Sequence, residues 1–155
     1  MLRRKLRAML MARKTNKKIY LYNQGDTCDD ITGGWTITQS NNTFLENNCI
    51  RFNYKTVSTY SIRTNKLIDL TDKIICFELN KTDNRIGSNC KTFLDLSKEI
   101  DGDTKYRYTV ITSAEGNDIV TKKMKVQSGE FYIRLAAYYQ TCNVYKIWLE
   151  DKDVI

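Results

Sequence analysis

The sequence predicts an all-β protein: a jelly-roll-like antiparallel β-sandwich preceded by a short basic amphipathic helix or arm. Three observations predict it. From residue 19 onward, apolar side chains recur at period two rather than at helical spacing. Pairs and triplets of Asn, Asp, Gly and Ser punctuate the alternating stretches, as turns do. Thr, Ile and Tyr, which fit a pleated surface, are abundant in the 155 residues, and Pro is absent.

The elements follow in order. Leu2, Leu6, Met9 and Leu10 share one helical face, widened by Ala8, Met11 and Ala12, while Arg3, Arg4, Lys5, Arg7 and Arg13 occupy the rest. A helix of about a dozen residues is marginal in water, so this one needs a partner. Helical spacing gives way to strand spacing across residues 13–18, which divides the chain into an arm, 1–18, and a sandwich, 19–155. Strand patterns then run over 19–23, over 35–39 after the Thr32-Gly33-Gly34 turn, and over 49–54, where Ile50, Phe52 and Tyr54 share a face. In 74–80, Ile75, Phe77 and Leu79 align; in 106–111, Tyr106, Tyr108 and Val110; in 131–136, Phe131, Ile133 and Leu135. The last pattern, 144–149, sets Tyr145, Ile147 and Leu149 on one side and Val144, Lys146 and Trp148 on the other. Trp148 is thereby expected to pack against the side away from the core.

The length suits one domain able to bury a core without metals or disulfides. No apolar run reaches the roughly 20 residues of a membrane-spanning helix. The net charge of +7 is concentrated: eight of the 25 basic residues lie in 1–18, leaving 17 against 18 acids in the body. A nucleic-acid-binding domain would spread its basic residues over a folded face. Five cysteines (Cys28, Cys49, Cys76, Cys90, Cys142) form no C-x-x-C pair, which fits a reduced compartment. Cys28 and Cys142, each just ahead of a strand, would approach each other if the terminal strands pair.

The absence of histidine removes Ser-His-Asp and Cys-His catalysis. Two carboxylates could still hydrolyse a glycoside, and Glu46, Glu78, Asp95 and Glu130 qualify by residue type. Each also fits an ordinary exposed position, so a non-enzymatic protein is expected. The loop 25–35 carries Asp26, Asp29 and Asp30, donors that could hold calcium, but without the EF-hand spacing; a polar glycine-bearing loop feeding Trp35 into the core is the simpler reading. Tyr138 and Tyr139, next to Gln140 and Asn143, form the best candidate platform for stacking a sugar. The arm has three readings: an anchor on a partner protein through Leu2, Arg3, Arg4, Leu6, Arg7, Met9, Leu10 and Arg13, a contact with anionic lipid, or a contact with nucleic acid. Protein docking ranks first.

The Arg- and Met-rich start, the stretch YLYNQGDTCDDITGGWT and the closing NVYKIWLE together resemble virion-associated structural proteins of tailed phages. The sandwich of those proteins is similar to galactose-binding and carbohydrate-binding modules. The resemblance implies a sandwich displayed on a phage particle as a capsid decoration, head-fibre or tail component. Such a protein would be made in the host bacterial cytoplasm, anchored by its arm to other virion proteins, and part of a symmetric assembly. An alternative is a lectin-like adhesion module for host glycans. The resemblance further implies calcium at Asp26, Asp29 or Asp30 with Glu150; no other cofactor is expected.

Overall fold

The computed structural model describes residues 17–24, 34–39, 43–46, 49–54 and 59–152. The arm residues Leu2, Arg3, Arg4, Leu6, Arg7, Met9, Leu10 and Arg13, the loop carboxylates Asp26, Asp29 and Asp30, and Cys28 lie outside them. The described chain contains no helix and twelve strands: β1 (Ile19–Tyr22), β2 (Trp35–Gln39), β3 (Thr43–Glu46), β4 (Cys49–Phe52), β5 (Thr59–Thr64), β6 (Ile68–Asp69), β7 (Lys73–Lys81), β8 (Lys91–Ser97), β9 (Tyr106–Thr112), β10 (Val120–Lys125), β11 (Glu130–Tyr138) and β12 (Cys142–Asp151).

Two antiparallel sheets hold them. The first runs β10-β7-β12-β4-β3, with β1 also on β12; the second runs β2-β5-β11-β8-β9, with β6 also on β11. All the pairings are antiparallel. The core lies between the sheets, where Ile50, Phe52, Ile75, Phe77 and Leu79 of the first meet Ile62, Leu94, Leu96, Ile133 and Leu135 of the second. Each such side chain contributes about 1.5–3 kcal/mol by leaving water. Trp35 enters this core as expected and donates its indole N–H to Leu21 O at 2.8 Å, stitching the two sheets. Gly34, just before it, sits at φ +59°, and a Cβ there would lie 2.8 Å from Asn65 Nδ2. The predicted turn therefore needs glycine at that position.

The predicted alternation holds without a break in β11, where Phe131, Ile133 and Leu135 point inward. Four other strands depart from it, β1 between Tyr20 and Tyr22, β2 between Ile37 and Gln39, and two whose predicted faces change. In β12 the register against β7 slips between Val144 and Lys146, leaving Tyr145 as the extra residue. Cys142 and Val144 therefore share the core with Ile147 and Leu149, and Tyr145 does not. In β9 a slip opposite Thr92 and Phe93 lets Val110 and Ile111 both reach the core. A bulge adds one residue to the count and so changes which side the following residues face. Cys142 is the first residue of β12, a buried free thiol in the core. Burial pushes that thiol up to about 12.

Trp148 packs on the side of β12 away from the core, as expected. It is 3% exposed, with Lys18 Nζ 4.6 Å above its ring and Tyr20 tilted against it at 6.2 Å. Its indole N–H donates to Glu150 Oε1 at 3.0 Å, and Lys123 Nζ reaches Glu150 Oε2 at 3.0 Å. The free edge of the first sheet, β10, carries Lys122, Lys123 and Lys125, charges that discourage pairing with another edge.

Candidate functional site

The outer face of the second sheet is built from the residues that alternate with its core. In β11 these are Tyr132, Arg134, Ala136 and Tyr138; in β8, Phe93, Asp95 and Ser97. Register carries one row straight across the sheet: Thr36 opposite Arg63, Arg63 opposite Arg134, Arg134 opposite Asp95, Asp95 opposite Arg107. Five strands thus present three guanidinium groups and one carboxylate in line.

Asp95 organises the row. Its side chain is only 2% exposed and its oxygens accept from Arg107 Nε at 2.7 Å, Arg107 Nη2 at 2.9 Å, Arg134 Nη2 at 3.1 Å and Thr104 Oγ1 at 3.3 Å. Arg134 Nη2 also donates to Thr104 Oγ1 at 2.8 Å. A forked guanidinium matched to a carboxylate is both directional and strong. The hydrogen bond to Asp95 holds the Arg107 guanidinium charged, above its ordinary range. Arg107 in turn lies 4.7 Å over Phe93 and 5.8 Å over Tyr138. Phe93 and Tyr138 meet edge to face at 5.2 Å, a favourable geometry for two ring quadrupoles. Between them and the arginine row lies a small-residue floor, Ala136 beside Ser61, whose hydroxyl pairs with Thr38 at 2.6 Å.

At the other end of the row, Arg63 Nε donates to Asp101 Oδ1 at 3.0 Å and Nη1 to Asn65 Oδ1 at 3.3 Å. A notch of about 30 Å³ opens there, bordered by Thr38, Arg63, Asp95, Asp101, Tyr132 and Arg134. That volume corresponds to roughly one water molecule. The face is a platform with a dimple, not a pocket.

The four residues expected to form a sugar platform do not come together. Tyr138 ends β11 on this outer face, whereas Tyr139 turns away at φ +48° to the end of the sandwich. There Tyr139 is 38% exposed, stacks on Tyr54 at 5.7 Å and borders a groove of about 430 Å³ with Arg85, Ile86 and Asn89. Gln140 is buried, accepting from Thr92 Oγ1 at 2.7 Å. Asn143 pairs in register with Arg51 on the far side of the first sheet, its amide 3.4 Å from the Tyr145 hydroxyl. Residues 139–141 carry the chain from one sheet to the other, so neighbours in sequence end on opposite faces.

The carboxylates considered for hydrolysis are also apart. Glu78 pairs with Lys146 at 3.7 Å in the first sheet, while Asp95 sits in its clamp in the second. Glu130 is exposed at the start of β11, and the side chain of Glu46 lies outside the described residues. Glu150, expected as a calcium ligand, is committed to Trp148 and Lys123. Among the described residues no group of three or more acidic, cysteine or histidine side chains could hold a metal. Sequence reasoning missed Arg107 and Arg134, which lie 12 and 39 positions from Asp95, and Arg63, which lies 38 from Asp101. The one signal, an arginine at an outward position of the strand patterns 106–111 and 131–136, covered Arg107 and Arg134 but not Arg63.

No family model matches the sequence, and no curated protein matches it. The fold has counterparts among solved structures. The carbohydrate recognition domain of Emp47p superposes with a TM-score of 0.58 at 10% identity, covering 88% of this chain and 98% of that one. A family 29 carbohydrate-binding module from Piromyces equi gives 0.56 at 10% identity, covering 90% and 95%. The K3 cleaved adhesin domain of Lys-gingipain from Porphyromonas gingivalis gives 0.51 at 8% identity, covering 88% and 99%. These likenesses show the fold, a lectin-like β-sandwich of the carbohydrate-binding-module kind. The phage-particle part of the resemblance read from the sequence has no counterpart in them.

Proposed function

We propose that the protein is a non-catalytic carbohydrate-binding domain whose ligand lies across the outer face of the second sheet. The observation that supports this reading best is the Arg107–Asp95–Arg134 clamp set beside the Phe93–Tyr138 pair. Sugars are recognised by aromatic rings that stack on their C–H faces and by planar donors that take paired hydroxyls. Here both kinds of group are ordered before any ligand arrives, which reduces the entropy lost on binding. The face is built on paired strands, whereas the groove beside Tyr139 is framed by a loop, residues 82–90. The fold's likeness to domains named for carbohydrate binding agrees with this reading.

Display on a phage particle would act through residues 1–18, and no observation on the folded body adds to it. A calcium requirement would come through Asp26, Asp29 and Asp30; melting with and without calcium tests it.

A glycan array with the full chain, followed by calorimetric titration of the hits, tests the proposal. Tyr138→Ala and Arg134→Gln should each weaken binding about tenfold, the loss of roughly 1.4 kcal/mol, with little change in melting temperature for Tyr138→Ala. Undiminished binding by both variants would remove the site from this face. Absence of any hit would end the reading.

A further inference from the structure

We infer that the sugar recognised on this face is anionic, its carboxylate or sulfate group seated between Arg63 and Arg134; this rests on the carbohydrate-binding reading above. Arg63 and Arg134 are direct cross-strand neighbours on one outward surface. Like charges so placed repel and are destabilising unless an anion sits with them. The row supplies too few. Asp95 is fully engaged by Arg107, Arg134 and Thr104, which leaves Asp101 as the one carboxylate on Arg63, whose Nη1 meets only the neutral oxygens of Thr64 and Asn65 among the described residues.

Asp101 is a poor permanent partner. Its side chain is 73% exposed, against 16% for Arg63, and it reaches Arg63 from a loop; with one partner mostly in water the pair is readily exchanged for another carboxylate. It does demonstrate that the Arg63 guanidinium can accept a carboxylate from outside the sheet. Both of Arg134's hydrogen bonds use Nη2, so Nε and Nη1 have no partner among the described residues. The notch between the two arginines is too small for a sugar ring at about 30 Å³. It suits an oxygen of a charged substituent, with the ring resting on the floor toward Tyr138.

The test is calorimetry on the full chain with matched pairs of oligosaccharides: an oligogalacturonide with its methyl ester, and a sulfated oligosaccharide with its desulfated form. The charged member of at least one pair should bind about tenfold tighter, with an advantage that shrinks as salt is added. Which pair responds identifies the anion. Arg63→Gln and Arg134→Gln should abolish the advantage, and Asp101→Asn should increase it by freeing Arg63. Should Arg134→Gln fail to fold, Arg63→Gln reads the same notch. Equal binding of charged and neutral members, or an advantage that survives Arg63→Gln, would overturn the anion assignment and leave the carbohydrate reading standing. Binding of no sugar at all, on these pairs or the array, would bring down both.

Discussion

On the outside of the first sheet, Trp148 is covered by Lys18 and Tyr20, its N–H is held by Glu150, and Glu150 is held by Lys123. On the outside of the second, Phe93 and Tyr138 stay half-buried with Arg107 across them, and Arg107 and Arg134 keep 42% and 36% of their side-chain surface. Both faces use an aromatic ring, a carboxylate and a cation. On the first, the cations cap the ring and the carboxylate closes the circuit. On the second, the carboxylate lies beneath and the cations lie on top, with donors left over. Whether such a cluster is sealed or open depends on which member is buried. Burying the ring makes a structural patch. Burying the acid makes a set of fixed, outward-facing donors.

The sharpest way to break this comparison is to remove the sealed ring. Trp148→Ala should destabilise the fold by about 3 kcal/mol, read by chemical denaturation, while glycan affinity at a temperature where the variant is folded stays unchanged. A loss of affinity in the folded variant would mean that the two faces are coupled. Removing the buried acid comes next. Asp95→Ala should cost about 2 kcal/mol, since two charged donors lose their acceptor, and should also reduce binding because Arg107 and Arg134 are no longer held. Destabilisation without a binding defect would make the clamp purely structural.

The smallest effect concerns pH. The indole hydrogen bond of Trp148, assisted by Lys123, holds the Glu150 carboxyl below its ordinary range, against an opposing effect of burial. A carboxyl lowered in the folded state adds stability above its unfolded value of 4.5, and that increment is lost as pH falls through the folded value. Glu150→Gln should therefore flatten the decline in stability below about pH 4.5 and leave its shape above pH 6 unaltered. Denaturation midpoints measured across that range check it; an unchanged acid limb would detach Glu150 from the seal.

The sandwich was legible in the sequence because strands such as β11 alternate cleanly, Phe131, Ile133 and Leu135 inward against Tyr132 and Arg134 outward. Trp148 was legible for the same reason. Strands β3, β5, β6, β8 and β10 were missed: β6 is only two residues long, and in β5, β8 and β10 a polar residue takes an inward position, as Thr64 does in β5. In β10 the inward residues include Lys122 between Val120 and Met124, its ammonium drawn off to Glu115; in β8, Thr92 is inward and buried. The candidate site was largely illegible. Tyr138 and Tyr139 look like a pair on paper, yet a single left-handed residue at the crossing between sheets sends them to different surfaces. The clamp depends on register between β11, β8 and β9, which hydrophobic alternation does not specify residue by residue.

The extra residue at Tyr145 has a consequence for how this chain can vary. The strand it interrupts, β12, stands in the middle of its sheet and is paired along both edges. Side chains change side with every step, and Tyr145 is the residue in excess of that count. Removing it would set Val144 beside Lys146 and restore strict alternation, with Cys142, Val144, Ile147 and Leu149 all still turned inward. Removing Asn143 or Trp148 instead would turn one end of the strand over and deliver Cys142 or Leu149 to the wrong side. The place in β12 that can lose a residue without disturbing the core is thus a half-exposed tyrosine that contributes nothing to the core itself.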